Sequence, residues 1–433
     1  MVKEEKITMR SIFRYMLVVM AITVLFPGWA LGAGLWVLEM ANPDIGTASA
    51  GRGATAADAS VAMFNPAGMI KLDRSQLFTG IQGSWLNVEF DVDESTFGGG
   101  DGGNAGDFIP AGSLSYVHSV NPKLKLGISA ASFFGLGIDY DDDWAGRYFA
   151  TEASFLTLGL MPGIGYRINK WLSLGVGATL LYAKLDQKTA VNNQLTDPGV
   201  PDGEVKIDED DVGWGVNLGT LVEPREDLRF SLTYRSEVEV EFKDVAETNG
   251  VGPNLQALLE AAGATTQKVD LEMQLPQEVL LSGYYDLSEK LALVASAGWQ
   301  DWSAFGETTV TVRSSTTSSF TEDRNFKDTW HAAVGARYRF AAPWLWSVGF
   351  AYDSSPVNDK DRTVDMPLDR QIRLGTGLQY DWNENVTVGG AYAYVDLGDA
   401  DIDQQGGILQ GNVKGDYKTN HVHTLALNLI WRF

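Results

Sequence analysis

Apolar and polar residues alternate with a period of two through most of the chain from Gln76 onward. In the last stretch, the apolar face carries Leu425, Leu427, Leu429, Trp431 and Phe433, and polar residues interrupt the alternation or lie opposite. Successive side chains of a β-strand point to opposite sides of its sheet, so this period predicts strands with two unlike faces. The chain is therefore predicted to be all-β.

The face opposite the apolar one is unusual for a soluble protein. It carries small residues in one stretch, as at Gly213 and Gly215, and charged or imidazole groups in another, as at His331 and Arg337. A soluble β-sandwich would bury its apolar faces in a dry core and would not oppose them so regularly with such residues. Lipid outside and a narrow, partly polar lumen inside account for both faces, which predicts a transmembrane antiparallel β-barrel.

The connections between the predicted strands alternate in length. Short turns lie at 121–123, 169–170, 224–227, 288–290, 341–343 and 381–384, and long connections at 91–109, 139–152, 184–210, 243–269, 304–325, 355–369 and 397–418. Short periplasmic turns and long outer loops are typical of outer-membrane barrels. Seven long connections interleaved with six short turns predict about fourteen strands. The last strand, His421 to Phe433, is expected to pair with the first, near Gln76 to Phe90, and so to close the barrel.

The two termini indicate export and assembly. Arg10 and Arg14 precede an apolar run from Leu17 to Phe26, and small residues follow at 30–33. This order is typical of a secretory signal peptide, which we place at residues 1–32, with cleavage after residue 30 or 32 and residue 9 as an alternative start. The aromatic end at Phe433 fits recognition by the barrel-assembly machinery. The expected location is the outer membrane of a Gram-negative bacterium.

Composition narrows the function. Apolar residues make up 45 % of the chain, without the apolar spans of about 20 residues that a helical membrane protein needs. The absence of cysteine excludes disulfides and thiolate metal sites, and the net charge of −23 argues against a nucleic-acid partner. We interpret that charge as solvated acidic loops, with loops that face calcium or lipopolysaccharide as the alternative.

We find no catalytic constellation and predict neither an enzyme nor a cofactor. The chain has four histidines, of which His421 and His423 would share one strand face, a weak metal signal. The acidic run Asp139–Asp143 lacks the glycine and glutamate positions of a calcium-binding hand loop. No metal site is predicted.

Three features favour a transporter over a simple pore. Residues 34–70 are rich in Gly and Ala, lack alternation and would form a plug. In the loop segment Pro253 to Ala262, one side of a short helix carries Leu255, Leu258 and Leu259, which could pack on a neighbouring loop or capture an apolar ligand. The third strand loses its alternation from Ser132 to Gly137, which is either an irregularity near a loop or a gap towards the lipid.

The chain also resembles a known family, the FadL-type (OmpP1/FadL/TodX) outer-membrane transporters of long-chain fatty acids and aromatic hydrocarbons. The motifs that carry the resemblance are Ala57-Asp58-Ala59-Ser60, Asn65-Pro66-Ala67-Gly68-Met69, Phe134-Gly135-Leu136, Tyr140-Asp141-Asp142-Asp143-Trp144, Gly146-Arg147-Tyr148, Thr233-Tyr234-Arg235-Ser236, Leu275-Pro276, Phe326-Lys327-Asp328 and Tyr352-Asp353-Ser354-Ser355-Pro356. Their order and spacing span nearly the whole mature chain.

The resemblance implies a specific architecture. Residues 33–70 would fold into the lumen of the barrel (residues 71–433) as a hatch, and the ligand would pass from a groove between outer loops to an apolar pocket. It would then leave sideways through a kinked third strand, without an energy source. The residues that the resemblance assigns to substrate are Leu35 and Trp36 at the start of the hatch, Phe133 and Phe134 at the kink, and Lys184 and Lys327 for a carboxylate. The lateral gate would comprise Gly135 and Gly137 close to Asn65, Pro66 and Ala67.

These observations predict passive uptake of a hydrophobic small molecule, most simply a long-chain fatty acid. The family often has Gly-Phe where this chain has Gly34-Leu35-Trp36, so the size of the ligand stays open and an aromatic hydrocarbon is an alternative. A general diffusion porin and an adhesive surface barrel are further alternatives. The expected partners are the ligand, outer-membrane lipid and lipopolysaccharide, and the barrel is expected to be a monomer.

Overall fold

The computed structural model describes residues 39–133, 135–243, 247–262, 268–313 and 317–433. The strands in chain order are β1 Gln76–Ser95, β2 Phe108–Asn121, β3 Leu124–Ala131, β4 Gly135–Asp139, β5 Glu152–Arg167, β6 Leu172–Val191, β7 Gly203–Arg225, β8 Leu228–Arg235, β9 Val238–Phe242, β10 Glu247–Asn249, β11 Lys268–Leu275, β12 Glu278–Asp286, β13 Leu291–Gln300, β14 Glu307–Arg313, β15 Thr317–Asp323, β16 Thr329–Ala341, β17 Trp344–Asp353, β18 Gln371–Asp381, β19 Val386–Asp396, β20 Ile402–Gln405 and β21 Asn412–Arg432.

Within these residues, fourteen strands form a closed antiparallel wall, when β3 and β4 are taken as one interrupted strand. The others in the wall are β1, β2, β5 to β8, β12, β13, β16 to β19 and β21. The first and last strands pair from Gln76 opposite Arg432 upward, so the predicted closing pair and the predicted strand number are both confirmed.

The two faces of the wall separate as the alternation predicts. On the outer face Ile81 and Leu427, which pair across β1 and β21, are 65 % and 63 % exposed. On the inner face of the same strands Phe78 and Ile430 are fully buried. The large apolar side chains on the outer face have no protein cover, and a lipid bilayer supplies the apolar surroundings that they need.

Several strands continue beyond the region where the apolar alternation ends. The β6–β7 hairpin remains paired up to Val191 and Gly203, so its connection is 192–202 rather than the predicted 184–210. β1 and β21 likewise continue into predicted loops. Backbone hydrogen bonds sustain these extensions, but their outer face meets water instead of lipid, so it carries charges and loses the apolar period that marked the strands below.

The long outer connections contain structure of their own. β15, β14, β11 and β9 form a second, four-stranded sheet in that order, and short α-helices occupy Pro253–Ala262 and Trp302–Gly306. A 3-10 turn lies at Asp359–Asp361. No helix in the described ranges is long and apolar enough to cross a membrane.

The described part of the N-terminal segment, residues 39–71, lies against the inner face of the wall. It consists of the short helices Pro43–Thr47, Arg52–Thr55, Ala59–Met63 and Pro66–Lys71 joined by turns. Left-handed backbone at Ala48, Gly51 and Ala56 reverses the chain between them. The segment then leaves the lumen and enters the wall at Gln76.

Candidate transport site

Inward-facing glycines of the wall allow the N-terminal segment to approach closely. A Cβ atom at any of seven of them would lie less than 3.0 Å from an atom of that segment: Gly80, Gly127, Gly165, Gly175, Gly219, Gly349 and Gly375. In five of the seven the opposing atom belongs to the segment's backbone, which cannot turn aside as a side chain can. The small residues opposite the apolar face are therefore the surface on which the N-terminal segment packs.

Polar side chains of the wall pair with the exposed backbone groups of the segment. Arg229 donates from Nε to the carbonyl of Ala54 at 2.7 Å and from Nη2 to that of Thr55 at 3.0 Å. The Ser296 hydroxyl accepts from the Gly51 N–H at 2.9 Å. Helices this short leave most of their N–H and carbonyl groups without an internal partner, so contacts with the wall are needed to bury them.

The Asn65-Pro66-Ala67 turn is held at the periplasmic side of the lumen. Asn65 is fully buried, and its Oδ1 accepts from the Ala67 N–H at 3.0 Å. Its Nδ2 donates to the carbonyls of Gly53 at 2.9 Å and Thr220 at 3.0 Å. The turn rests on glycines of β5, β6 and β7, four residues or more along β5 from the level of Phe133, so its contacts are with these strands rather than with the kink.

The third wall strand is interrupted, and the strand pairing is broken beside it; we call this break the window. β3 pairs with β2 as far as Ala131 opposite Ser113, whereas β4 pairs with β5. Above the interruption, an isolated bridge joins Gly106 to Ile138. Between these two limits, the described residues 132, 133 and 135–137 make no strand pairing with β2 residues 108–112. The irregularity predicted in the third strand thus coincides with a bounded break in its pairing with β2.

The rim of this window is connected to the N-terminal segment. Phe133 is 1 % exposed, and its ring lies over Gly159 and under the guanidinium of Arg235, whose Cζ is 4.1 Å from the ring centroid. Arg235 also donates from Nη2 to the carbonyl of Met63 at 3.1 Å. One cation therefore contacts both the kink and the plugging segment. Gly135 and Gly137 lie on β4 at the same rim, and the Ile109 side chain is near Gly137.

Two predicted ligand contacts lie away from the lumen. Lys184 alternates with Ala183 and Leu185, which are buried inside, so its own side chain points outward and pairs with Asp186 and Asp208 at 3.1 Å each. Lys327 is exposed in an outer loop. Strand parity turns Lys184 outward and loop position exposes Lys327, so neither faces the lumen, and their expected contact with the ligand's carboxylate stays a prediction that places it among the outer loops.

A buried cation does face the lumen at Arg373 on β18. Its side chain is 4 % exposed, contacts Asp353 and Gln371, and lies 3.2 Å from Oε1 of Glu39 in the N-terminal segment. The Asp353 carboxylate is also bonded to Nδ1 of His331 at 2.8 Å. The alternation along β18 puts Arg373 on the polar face, opposite to Ile372 and Leu374, but only the folded barrel shows which side chains it contacts.

The predicted loop helix packs mainly on its neighbours. Leu255 and Leu259 are each 4 % exposed, whereas Leu258 is 59 % exposed, so the three do not form one open apolar face. The carboxylate of Asp197 accepts from the backbone N–H groups of Asn254 at 2.9 Å and Leu255 at 3.0 Å. This contact anchors the start of the helix to the 192–202 connection, as an N-terminal cap does.

The acidic and aromatic motif at 140–148 closes the outer end of the barrel. Tyr140 stacks on Trp144 with ring centroids 3.9 Å apart, and its hydroxyl donates to the carbonyl of Val364 at 2.8 Å. The Tyr148 hydroxyl donates to Asp202 at 2.7 Å, and burial, with this bond, raises the pKa of Tyr148 to about 12. These contacts bind three outer connections into a roof.

Three of the predicted site residues, Leu35, Trp36 and Phe134, lie outside the described residues. In the ranges that the structure describes, there is no group of three or more side chains suited to hold a metal ion.

A closed strand wall with an apolar outer band, a plugging segment and a side window defines an outer-membrane barrel of the transport class. The family described as "Outer membrane protein transport protein (OMPP1/FadL/TodX)" matches residues 23–433. The chain belongs to this family.

Individual relatives agree with that assignment. The chain is 29 % identical over 394 residues to the long-chain fatty acid transport protein of Escherichia coli O6:H1, which covers 84 % of this chain and 87 % of the relative. It is 28 % identical over 414 residues to outer membrane protein P1 of Haemophilus influenzae, covering 86 % and 88 %. These relatives are transport and outer-membrane proteins rather than enzymes. The chain is likewise a protein of the outer membrane of Gram-negative bacteria.

Solved structures show the same fold. A Pseudomonas aeruginosa FadL homologue superposes with a TM-score of 0.83 at 20 % identity, over 93 % of this chain and all of that one. The toluene transporter TodX of P. putida gives a TM-score of 0.62 at 14 % identity, over 86 % of this chain and 94 % of that one.

Proposed function

We propose that this barrel takes up long-chain fatty acids passively and releases them sideways into the outer membrane. The observation that carries the proposal is the window, the break in strand pairing between β2 and β4 in the lipid-facing wall, beside a lumen that the N-terminal segment occupies. Capture among the outer loops and transfer to a pocket at the N-terminal segment, which acts as the hatch, precede release.

The lumen favours this function over general diffusion. A porin conducts solutes through a water-filled channel. Here the N-terminal segment packs on the inner wall glycines and bonds to wall side chains from β8 to β13. A ligand that reaches the window instead meets hydrocarbon at once, without crossing a polar lumen.

The energetics suit an apolar solute. Burial of each methylene group contributes about 0.8 kcal/mol, so an apolar pocket can extract a long acyl chain from water without an energy source. The same chain then enters lipid with little further change in its surroundings. Lipopolysaccharide restricts direct entry of such solutes from outside, which gives a protein route its purpose.

A fatty acid is favoured over an aromatic hydrocarbon by the names of the relatives. Arg373 does not decide between the two ligands, because this buried cation on the inner wall is already paired with Asp353 and Glu39. Relatives named as long-chain fatty acid transport proteins favour the fatty acid, whereas hydrocarbon uptake is kept as the alternative because the fold is also that of toluene transporters.

The experiment places a large side chain in the window. Gly137 lies at its edge, where a Cβ would make ordinary van der Waals contact with Cδ1 of Ile109 on β2 at 3.6 Å, so a small side chain is tolerated and a larger one would fill the break. The variant Gly137→Leu, expressed in Gram-negative cells without another fatty-acid transporter, should take up labelled oleate at least about tenfold more slowly. The matched control is Gly283→Leu, also with 3.6 Å of clearance but on the fully paired wall strand β12.

The outcome separates the candidates. Lateral release predicts slower uptake in Gly137→Leu only, with oleate binding to the purified protein unchanged. Equal uptake in the two variants would contradict release through the window. A stable open-channel ion conductance of the wild-type protein in a planar bilayer would favour the porin instead.

A further inference from the structure

A cleft of about 460 Å³ lies among the outer connections, and no described residue of the N-terminal segment or of the window lines it. Residues 360–363 of the lining come from the β17–β18 connection, and residues 403–406 with Gln410 come from the β19–β21 connection. Phe149, in the connection that follows β4, completes the lining. The volume is within the usual range for small-ligand sites, so the chemistry of the lining decides what the cleft can hold.

Buried hydrogen bonds fix the two main connections relative to each other. The guanidinium of Arg362, which is 2 % exposed, donates to the carbonyl of Leu368 at 2.9 Å and to that of Asp401 at 2.8 Å. The Val364 N–H donates to Oε1 of Gln404 at 3.0 Å. A ligand would therefore meet a cleft that is already formed, which lowers the entropy cost of binding.

The cleft also contains a hydrogen-bond donor that the protein leaves unused. Gln410 is 8 % exposed, and its Oε1 accepts from the Gly407 N–H at 2.9 Å. Its Nε2 is buried and has no hydrogen-bond partner in the described part of the chain. Because a buried polar atom without a partner costs free energy, a ligand with hydroxyl groups would stabilise this amide.

The charges of the lining balance each other. Lys360 and Arg362 are matched by Asp361 and Asp403, and Arg362 is already ion-paired with Asp359 at 3.0 Å. A phosphate, a sulfate or a fatty-acid carboxylate would find no excess of positive charge here. The uncharged polar groups of the lining are amides and a hydroxyl, which together offer both donors and acceptors.

One apolar surface borders these polar groups. The ring of Phe149 comes so close to Gly406 that a Cβ at that glycine would lie 2.9 Å from Cε1 of the ring. The rest of the lining consists of polar side chains and this glycine, which is too little apolar surface to bury an acyl chain. A pyranose ring matches the arrangement, because its C–H faces are apolar and its rim carries hydroxyls that both donate and accept.

We propose that this cleft binds a neutral saccharide. Two sources offer such sugars to the outer connections: the core oligosaccharide of the lipopolysaccharide around the barrel, and free glycans outside the cell. In both cases the Gln410 amide and the Asp403 carboxylate bind sugar hydroxyls, and the sugar ring lies beside Phe149. The cleft is a second binding site, and it does not depend on the proposed uptake of fatty acids.

The first test identifies the class of ligand. Wild-type protein in phosphatidylcholine nanodiscs is titrated with the core oligosaccharide released from a rough lipopolysaccharide and with maltopentaose, a free neutral glycan. Binding of the core oligosaccharide assigns the cleft to lipopolysaccharide, and binding of maltopentaose alone assigns it to free glycans. Binding of neither overturns the proposal. Displacement of the bound sugar by inorganic phosphate also overturns it, because that result would reveal an anion site.

The second test locates the bound sugar in the cleft. Asp403→Ala removes an exposed carboxylate of the lining and should weaken binding at least about tenfold, the size of one charge-assisted hydrogen bond. The matched control is Asp401→Ala, which removes an exposed carboxylate of the same connection from outside the lining and should bind like the wild type. Equal affinities of the two variants would contradict the assignment.

The buried amide is tested by Gln410→Met, which keeps the length of the side chain and loses its donors. Folded protein, identified by its heat-dependent migration in gels, should bind the sugar about fivefold more weakly than the wild type. Wild-type affinity of this variant would contradict the role of the amide, and Asp403→Ala decides the matter if Gln410→Met does not fold.

Failure of this inference can be told from failure of the proposed function. Oleate uptake should be unchanged in Asp403→Ala and in Gln410→Met, because neither residue lies in the lumen or at the window. A loss of sugar binding with normal uptake is the expected result. A loss of uptake in parallel with sugar binding would show that the cleft belongs to the fatty-acid route and would overturn its assignment as a separate site.

Discussion

The two ends of the N-terminal segment are held by different kinds of contact. At the periplasmic end, the backbone of residues 65–67 packs against glycines of the wall. Asn65 is buried there, and both its amide oxygen and its amide nitrogen are hydrogen-bonded. Lys71 adds an ion pair with Glu223 at 2.5 Å. At the outer end, Glu39 relies on one ion pair with Arg373, and two hydrogen bonds follow at Met40 and Ala41.

This difference indicates which end can move. Close backbone packing is lost only when the wall itself deforms, because protein interiors have little free space. A single ion pair can be broken without such deformation. The periplasmic end, which also continues directly into β1, is therefore the fixed end, and the start of the described segment near Glu39 is held less tightly.

The largest effect is expected where the fixed end meets the wall. In Gly175→Ala the added methyl group would overlap the backbone nitrogen of Ala67, and the resulting displacement should cost about 2–3 kcal/mol. Thermal unfolding in detergent measures the loss. Gly283→Ala, whose methyl group would meet its nearest atoms at 3.6 Å, should unfold like the wild type. Equal stability of the two variants would show that the backbone contact at Gly175 is not tight.

A somewhat smaller effect is expected from the buried amide. Asn65→Ala removes the acceptor for Ala67 and the donors to Gly53 and Thr220, which should lower the free energy of unfolding by about 2 kcal/mol. Asn65→Asp keeps the acceptor and loses the donors, so it should fall between wild type and alanine if its carboxyl is tolerated. Wild-type stability of Asn65→Ala would remove this turn from the fixed end.

A weaker contact at the same end is the ion pair of Lys71 and Glu223. Their side chains are 27 % and 12 % exposed, so water screens the interaction and its loss in Lys71→Met should cost about 1 kcal/mol or less. The measurement is chemical unfolding at low and high salt, and the difference from wild type should shrink as salt increases. Lys184→Met, which removes an outward-facing pair, is the control and should be nearly neutral. A loss above that of Asn65→Ala would show that charge, rather than packing, holds this end.

The smallest effect concerns the outer connections above the lumen and depends on pH. Burial raises the pKa of Asp197, and hydrogen bonds from Asn254 and Leu255 outweigh it, so this pKa lies below its usual value. A lowered pKa means that the contact stabilises the fold above the unfolded value of about 3.9 and is lost as pH falls below it. Hydrogen exchange of helix 253–262 should be slower in wild type than in Asp197→Asn at neutral pH.

The two proteins should exchange alike at the acid end of the range. A difference that persisted well below pH 3, or none at neutral pH, would mean that the Asp197 carboxylate does not anchor the helix.

Much of the wall could be predicted from the sequence, because every strand in the bilayer has to present apolar side chains to lipid at every second residue. Strand number, the closing pair of β1 with β21 and the positions of the short turns follow from a period of two and its interruptions. Where water replaces lipid, as around Lys184, the outer face no longer needs apolar residues, and the sequence analysis predicted a loop where β6 and β7 in fact pair.

The sequence by itself determined that this protein is a barrel, which face of each strand is apolar, and that the third strand and the N-terminal segment depart from the pattern. Only the tertiary structure decided what fills the lumen and which cation meets a carboxylate there. Glu39 and Arg373 are 373 − 39 = 334 residues apart in the chain and 3.2 Å apart in space. Alternation is a local property that each strand shows alone, whereas a contact across the lumen exists only after the wall has closed around it.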